Sequence, residues 1–100
     1  MHIIARKTLI EFAEKYPDAK APLKRWWTVC RKNNFGSFAE LKRTFGSADI
    51  VLNCLIFNIG EGKYRLVARV NFTAYRLWIK YILPHKAYEK LNLREDEKCQ

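Results

Sequence analysis

Over one long stretch this chain contains no acid. Between Gly62 and Tyr88 there is neither aspartate nor glutamate, while six cations stand there: Lys63, Arg65, Arg69, Arg76, Lys80 and Lys86. Glycine and proline are scarce too, at four and three in 100 residues, which excludes a collagen-like repeat, a Gly/Ser or Pro-rich linker and a low-complexity chain. No run is long and apolar enough to cross a bilayer as a helix. The opening Met1-His2-Ile3-Ile4-Ala5-Arg6-Lys7 lacks the apolar core of a signal peptide. Residence in the cytoplasm, with no membrane partner, is therefore expected. Cysteine occurs only three times, as Cys30, Cys54 and Cys99, with wide spacings and no C-x-x-C. An odd count at such spacings argues against a disulfide framework and against a zinc site. Cys30 and Cys54 lie in apolar stretches and are expected to be small core residues. Cys99 stands in a polar stretch with no assigned role.

The chain is strongly cationic, at +9 with a pI near 9.7. A 100-residue length fits one domain with a modest core. The composition, 49% hydrophobic and 14% aromatic, is that of a folded chain. Cation excess in a small domain points to a polyanionic partner. An evenly charged basic surface is the plainer alternative, and the clustering at residues 62–88 argues against it.

Hydrophobic periodicity divides the chain in two. Met1–Ala5 is short and β-branched, and reads as a first strand. Leu9, Ile10, Phe12 and Ala13 give a one-sided helix over Lys7–Tyr16, ended by Pro17, because a residue before proline avoids helical angles. Pro22 suits the first turn of a second helix. Leu23, Trp26, Trp27 and Cys30 form its apolar stripe, and Lys24, Arg25, Arg31 and Lys32 face elsewhere. Trp26 and Trp27 could stack on bases, but helical spacing already explains them as a core ring and a half-exposed neighbour. Asn33, Asn34 and Gly36 break that helix. Ser37 and Glu40 have the spacing of a capping box opening a third helix over Phe38–Thr44.

From Ile50 the period becomes two. Ile50–Asn53 and Leu55–Asn58 read as strands, and Gly60-Glu61-Gly62 as a hairpin turn. Tyr64, Leu66, Ala68, Val70 and Phe72 then alternate with Lys63, Arg65, Val67, Arg69 and Asn71. The first set is expected in the core and the second toward solvent or ligand. Over Arg76–Leu83, Leu77, Ile79, Tyr81 and Leu83 alternate with Arg76, Trp78, Lys80 and Ile82. Pro84 ends this strand, His85–Leu91 reads as a short helix, and Arg94–Gln100 as a ragged polar tail. Helices grouped before strands indicate an α+β fold: the N-terminal strand and helices on one face of a small antiparallel sheet, followed by a short C-terminal helix. A single domain over residues 1–93 with a tail at 94–100 is expected, its second sheet face open and cationic.

Like charges placed side by side across strands are unfavourable unless a polyanion relieves them. Lys63, Arg65 and Arg69 would share one strand face, with Arg76, Trp78 and Lys80 alongside if the strands pair in register. Arginine and lysine bind phosphate, and Trp78 could stack on a base. His85 ends the basic stretch, with Tyr88 three residues on. RNA can be cut with no metal or other cofactor: its 2′-OH attacks the neighbouring phosphorus, given a proton acceptor, a proton donor for the leaving 5′ oxygen, and cations for the extra charge. His85, Tyr88 and the group of Lys63, Arg65 and Arg69 supply those three things. His2, the other histidine, is expected to have a local role.

Three segments, in their order and spacing, carry a resemblance: Phe57-Asn58-Ile59-Gly60, Lys63-Tyr64-Arg65-Leu66-Val67-Ala68 and Leu83-Pro84-His85-Lys86-Ala87-Tyr88. With Ala13-Glu14-Lys15-Tyr16-Pro17-Asp18 upstream, the chain resembles the HigB-type toxins of bacterial toxin–antitoxin systems, within the RelE-like superfamily, over roughly residues 1–92. The resemblance implies an mRNA interferase acting without metal on the translating ribosome. It implies neutralisation by a helix-turn-helix, HigA-like antitoxin, and operator DNA binding only through the toxin–antitoxin complex. It matches Arg65 to the strand arginine that contacts the scissile phosphate, and His85 and Tyr88 to the histidine and tyrosine of a terminal T-H-x-x-Y pattern. Pro84 replaces the threonine of that pattern, so the hydroxyl is absent. Lys63, Arg69 and Lys86 are expected to bind phosphate or ribosomal RNA, as are Arg76, Trp78 and Lys80 from the basic face. Two other readings use the same face: a non-catalytic RNA- or ribosome-binding module, and an interaction protein docking an acidic partner.

Overall fold

A computed structural model describes all 100 residues, Met1–Gln100. In chain order the elements are β1 (His2–Ile4), α1 (Arg6–Lys15), α2 (Lys20–Lys32), α3 (Phe38–Thr44), β2 (Asp49–Val51), β3 (Cys54–Ile59), β4 (Tyr64–Asn71), β5 (Arg76–Pro84) and α4 (His85–Glu89). Single 3-10 turns at Pro17–Ala19 and Glu97–Cys99 complete the set. The α+β layout is as expected. The sheet is mixed, however: its order is β1-β5-β4-β3-β2, and β1 joins β5 in parallel while the other pairs are antiparallel. The three helices form the crossover that returns the chain to the far edge of the sheet, which is what a parallel pairing requires.

Sequence chemistry explains each helix. The stripe of α2 buries Leu23, Trp26 and Cys30 and leaves Trp27 half-buried at its edge. Trp26 meets Phe57 of β3 edge-on at 5.4 Å, a geometry that ring quadrupoles favour. Thus the tryptophans are a core ring and its neighbour. Trp27 is stacked with Arg6 and Arg31, whose guanidinium carbons lie 4.6 and 4.9 Å from its centroid. At α3, Ser37 Oγ accepts from the Glu40 N–H at 3.2 Å, and Glu40 Oε2 accepts from the Gly36 N–H at 2.8 Å. The cap forms as predicted, with the glutamate reaching one residue further back.

The helices bury one sheet face around Leu55, Phe57, Tyr64, Leu66, Ala68 and Leu77. On β4 the alternation holds: Tyr64, Leu66 and Ala68 are core, with Val70 packed against them. On β5 it does not. Ala68 pairs with Ile79 while Val67 pairs with Tyr81, so Lys80 is the extra residue of a bulge. A bulge adds one residue and inverts the alternation beyond it. Ile82 therefore enters the helix-side core, and Tyr81, which simple alternation puts on one face with Leu77 and Ile79, joins the opposite face.

That opposite face is not fully open. Cys54, Ile56 and Val67 are buried there beneath Leu93 and Cys99, with Tyr81, Tyr88 and Leu91 packed around them. Residues 91–100 fold back over the sheet and are not ragged. Cys54 and Cys99, 45 residues apart, are joined by a disulfide, contrary to the expectation drawn from an odd cysteine count. Asp96 reinforces the seat by accepting from Tyr81 Oη at 2.6 Å, and the Asn53 N–H donates to the Cys99 carbonyl at 2.9 Å. Cys30 is the free, buried thiol, and burial pushes its pKa up to about 12.

Candidate nucleic-acid interface and active site

Cross-strand partners share a sheet face, so the register orders the residues opposite the helices into rows. His2, Arg76 and Asn71 form one row; Ile4, Trp78, Arg69 and Cys54 the next. Tyr81, Val67, Ile56 and Asp49 form a third, and Leu83, Arg65 and Asn58 a fourth. The C-terminal segment covers the middle of this face, over Cys54, Ile56, Val67 and Tyr81, leaving His2, Arg69, Arg76 and Trp78 exposed or half-buried to one side of it. Arg65 and Arg69 lie on that face at opposite ends of β4, roughly 13 Å apart at strand rise.

At one end, Arg69, Trp78 and Lys80 line a common cleft with Asn71, Phe72 and Thr73. Lys80 stands there beside Trp78, as alternation along β5 predicts. Neither Arg69, Arg76 nor Lys80 forms an ion pair. This end is a cationic groove with an aromatic wall and unneutralised charge.

At the other end, three chain segments converge. Arg65 leaves β4 and donates from its guanidinium to the Gly62 carbonyl in the turn. A Cβ on Gly62, which has φ +90, would stand 3.3 Å from that guanidinium, so this turn needs glycine both for its backbone and for space. The guanidinium carbon lies 5.8 Å from the ring centroid of Tyr88. Burial of Tyr88 raises its pKa above the ordinary value, Arg65 opposes that rise and Asp49 adds to it. The His85 N–H donates to the Lys63 carbonyl at 3.0 Å, tying the start of α4 to the same turn. The His85 Nε2 lies 2.7 Å from Glu89 Oε1, one helical turn on.

Arg65, Tyr88 and His85 are therefore brought to one corner, as their order along the chain suggested. Lys63 is not on that face. It precedes β4, and its ammonium pairs with Asp18 in the turn after α1. Hydrogen bonds from Lys63, then from Tyr64, hold Asp18 below the usual carboxylate range, and the same contact raises Lys63. Lys86 is exposed on α4 and forms no ion pair. His85 and Tyr88 stand three residues apart on α4. Each has its own neighbour, Glu89 for the histidine and Arg65 for the tyrosine. Glu89 was missed in the sequence, although its i, i+4 spacing from His85 on a short helix was the available signal.

Comparison with known proteins bears on this corner. Residues 19–91 match the family model described as HigB toxin, RelE-like toxic component of a toxin-antitoxin system. This chain belongs to the HigB toxin family. A relative from Escherichia coli K12 named mRNA interferase toxin HigB is 34% identical over 92 residues, covering 89% of this chain and 88% of the relative. The mRNA interferase HigB of Shigella flexneri matches to the same extent. That of Escherichia coli O6:H1 is 29% identical over 94 residues, covering 91% of each. The matched span contains β2 to α4, and so every residue of the corner and of the groove. As the toxic component of such a system, a HigB-family chain has an antitoxin as its partner.

Proposed function

We propose that this HigB-family toxin is an mRNA interferase, an endoribonuclease that cuts mRNA on the translating ribosome and so stops protein synthesis. The observation that carries the reading is the convergence of Arg65, Tyr88 and His85 at one corner of a cationic sheet face, in a chain whose relatives are named mRNA interferases.

The reaction needs no group beyond the chain's own. The 2′ oxygen attacks the adjacent phosphorus, its proton passes to a base, and the P–O5′ bond breaks as the 5′ oxygen gains a proton. The products are a cyclic phosphate and a 5′-hydroxyl end. His85 serves as general acid or base. Arg65 stabilises the charge that develops on the non-bridging oxygens, and its tether to the Gly62 carbonyl pre-orients it for that. Tyr88 contacts the nucleobase or hands a proton to the site. Arg69, Trp78, Lys80 and Arg76 hold the message, and Lys86 meets phosphate or ribosomal RNA. Lys63 is occupied by Asp18, and we assign it to bracing the turn. The site residues take Pro84 in place of a threonine with no hydroxyl to replace it. A HigA-like antitoxin with a helix-turn-helix neutralises the toxin, and DNA is bound through their complex.

The test is cleavage in a purified translation system, with wild type and His85→Gln added to ribosomes translating a defined message. Cuts with 5′-hydroxyl ends, dependent on ribosomes, insensitive to EDTA and absent with His85→Gln, are expected. Ribosome binding without cuts by the wild type would leave a basic ribosome-binding module in its place.

A further inference from the structure

We infer that Glu89 is a positioning residue for His85: its carboxylate accepts from Nε2–H and turns Nδ1 to the RNA as the proton-exchanging atom. This rests on the proposed role of His85. Three observations carry it. First, the start of α4 is fixed by the His85 backbone N–H on the Lys63 carbonyl at 3.0 Å, and the ring stands with Nε2 2.7 Å from Glu89 Oε1. A carboxylate accepts only, so in the neutral ring the proton sits on Nε2 and the lone pair on Nδ1.

Second, Glu89 is the first acid after Glu61, at the end of an acid-free run that carries six cations. A negative charge next to a phosphate-binding face repels substrate. Its presence there calls for a compensating use, and holding a histidine is one. Third, stability is a poor alternative explanation. The two side chains are 46% and 61% exposed, and exposed pairs at helical spacing contribute about 0.3–0.5 kcal/mol. Chemically, when Nδ1 accepts the 2′-OH proton the ring becomes an imidazolium. The carboxylate at Nε2 then stabilises the new charge without itself taking the proton, the division of labour known from histidine–carboxylate pairs in acyl transfer.

The experiment measures single-turnover cleavage by wild type, Glu89→Gln, Glu89→Asp and His85→Gln over a range of ribosome-bound message concentrations, with the His85 tautomer read by 15N NMR in the free proteins. Glu89→Gln is expected to lower the saturated rate about tenfold or more, leave half-saturation unchanged or slightly better, and reduce the Nε2–H tautomer. Glu89→Asp should recover part of the rate. A wild-type rate and tautomer in Glu89→Gln, with His85→Gln inactive, would overturn the positioning role alone. Wild-type cleavage by His85→Gln would overturn the histidine's role and this one with it. A Glu89→Gln effect confined to half-saturation would also overturn it, placing Glu89 in binding.

Discussion

The two ends of β4 present arginines to the same sheet face in different ways. Arg65 is anchored: its guanidinium is bonded to the Gly62 carbonyl and set beside Tyr88, next to a histidine held by Glu89. Arg69 has no ion-pair partner and looks into a cleft with Trp78 and Lys80. Anchoring costs a side chain its freedom before substrate arrives, which benefits a transition state. An unneutralised charge beside an aromatic wall benefits binding of any single strand. The contrast teaches that one basic face can be divided into a reacting end and a holding end by local partners alone.

Four substitutions probe that division. Removal of the anchored guanidinium has the largest expected effect. Arg65→Ala should lower the saturated cleavage rate by about 10²–10³, as loss of one preorganised donor does, in single-turnover assays. Next is the clamp that seats the C-terminal segment against Tyr88. Cys99→Ser should destabilise the fold by about 2–4 kcal/mol, read by urea unfolding, and reductant should do the same to wild type but not to the variant. In the holding end, Trp78→Ala should weaken RNA binding by about 1–3 kcal/mol in fluorescence anisotropy while the saturated rate stays near wild type.

The smallest effect concerns Asp96, whose carboxyl is held below its ordinary 3.8 first by the Tyr81 hydroxyl and then by the Lys98 N–H. A depressed folded-state pKa adds stability above the unfolded value and loses it as pH falls through the folded one. Asp96→Asn should therefore be less stable than wild type at neutral pH by a small margin. That margin should shrink as pH drops below 3.8, measured by urea unfolding across the acid range.

Local rules made much of this molecule legible beforehand. The α2 stripe, the Ser37 cap and the β4 alternation follow from periods and spacings within a few residues, and all three are present. The corner was legible because Arg65, His85 and Tyr88 flank one hairpin, and a hairpin brings its ends together. What escaped the sequence depends on contacts far apart in the chain. Cys54 meets Cys99 across 45 residues, and Lys63 meets Asp18 across as many. No periodicity encodes either pairing. The bulge at Lys80 escaped for a different reason: Lys80-Tyr81-Ile82 alternates acceptably in both registers, and only the burial of Ile82 with Leu66 decides between them.

The most direct measurement is a paired one. Saturated cleavage rate and half-saturating message concentration are determined for Arg65→Ala and Arg69→Ala under identical translation conditions. A division into reacting and holding ends predicts that Arg65→Ala loses rate with little change in half-saturation, and that Arg69→Ala does the reverse. Equal losses of rate in both variants, or loss of affinity alone in Arg65→Ala, would contradict it.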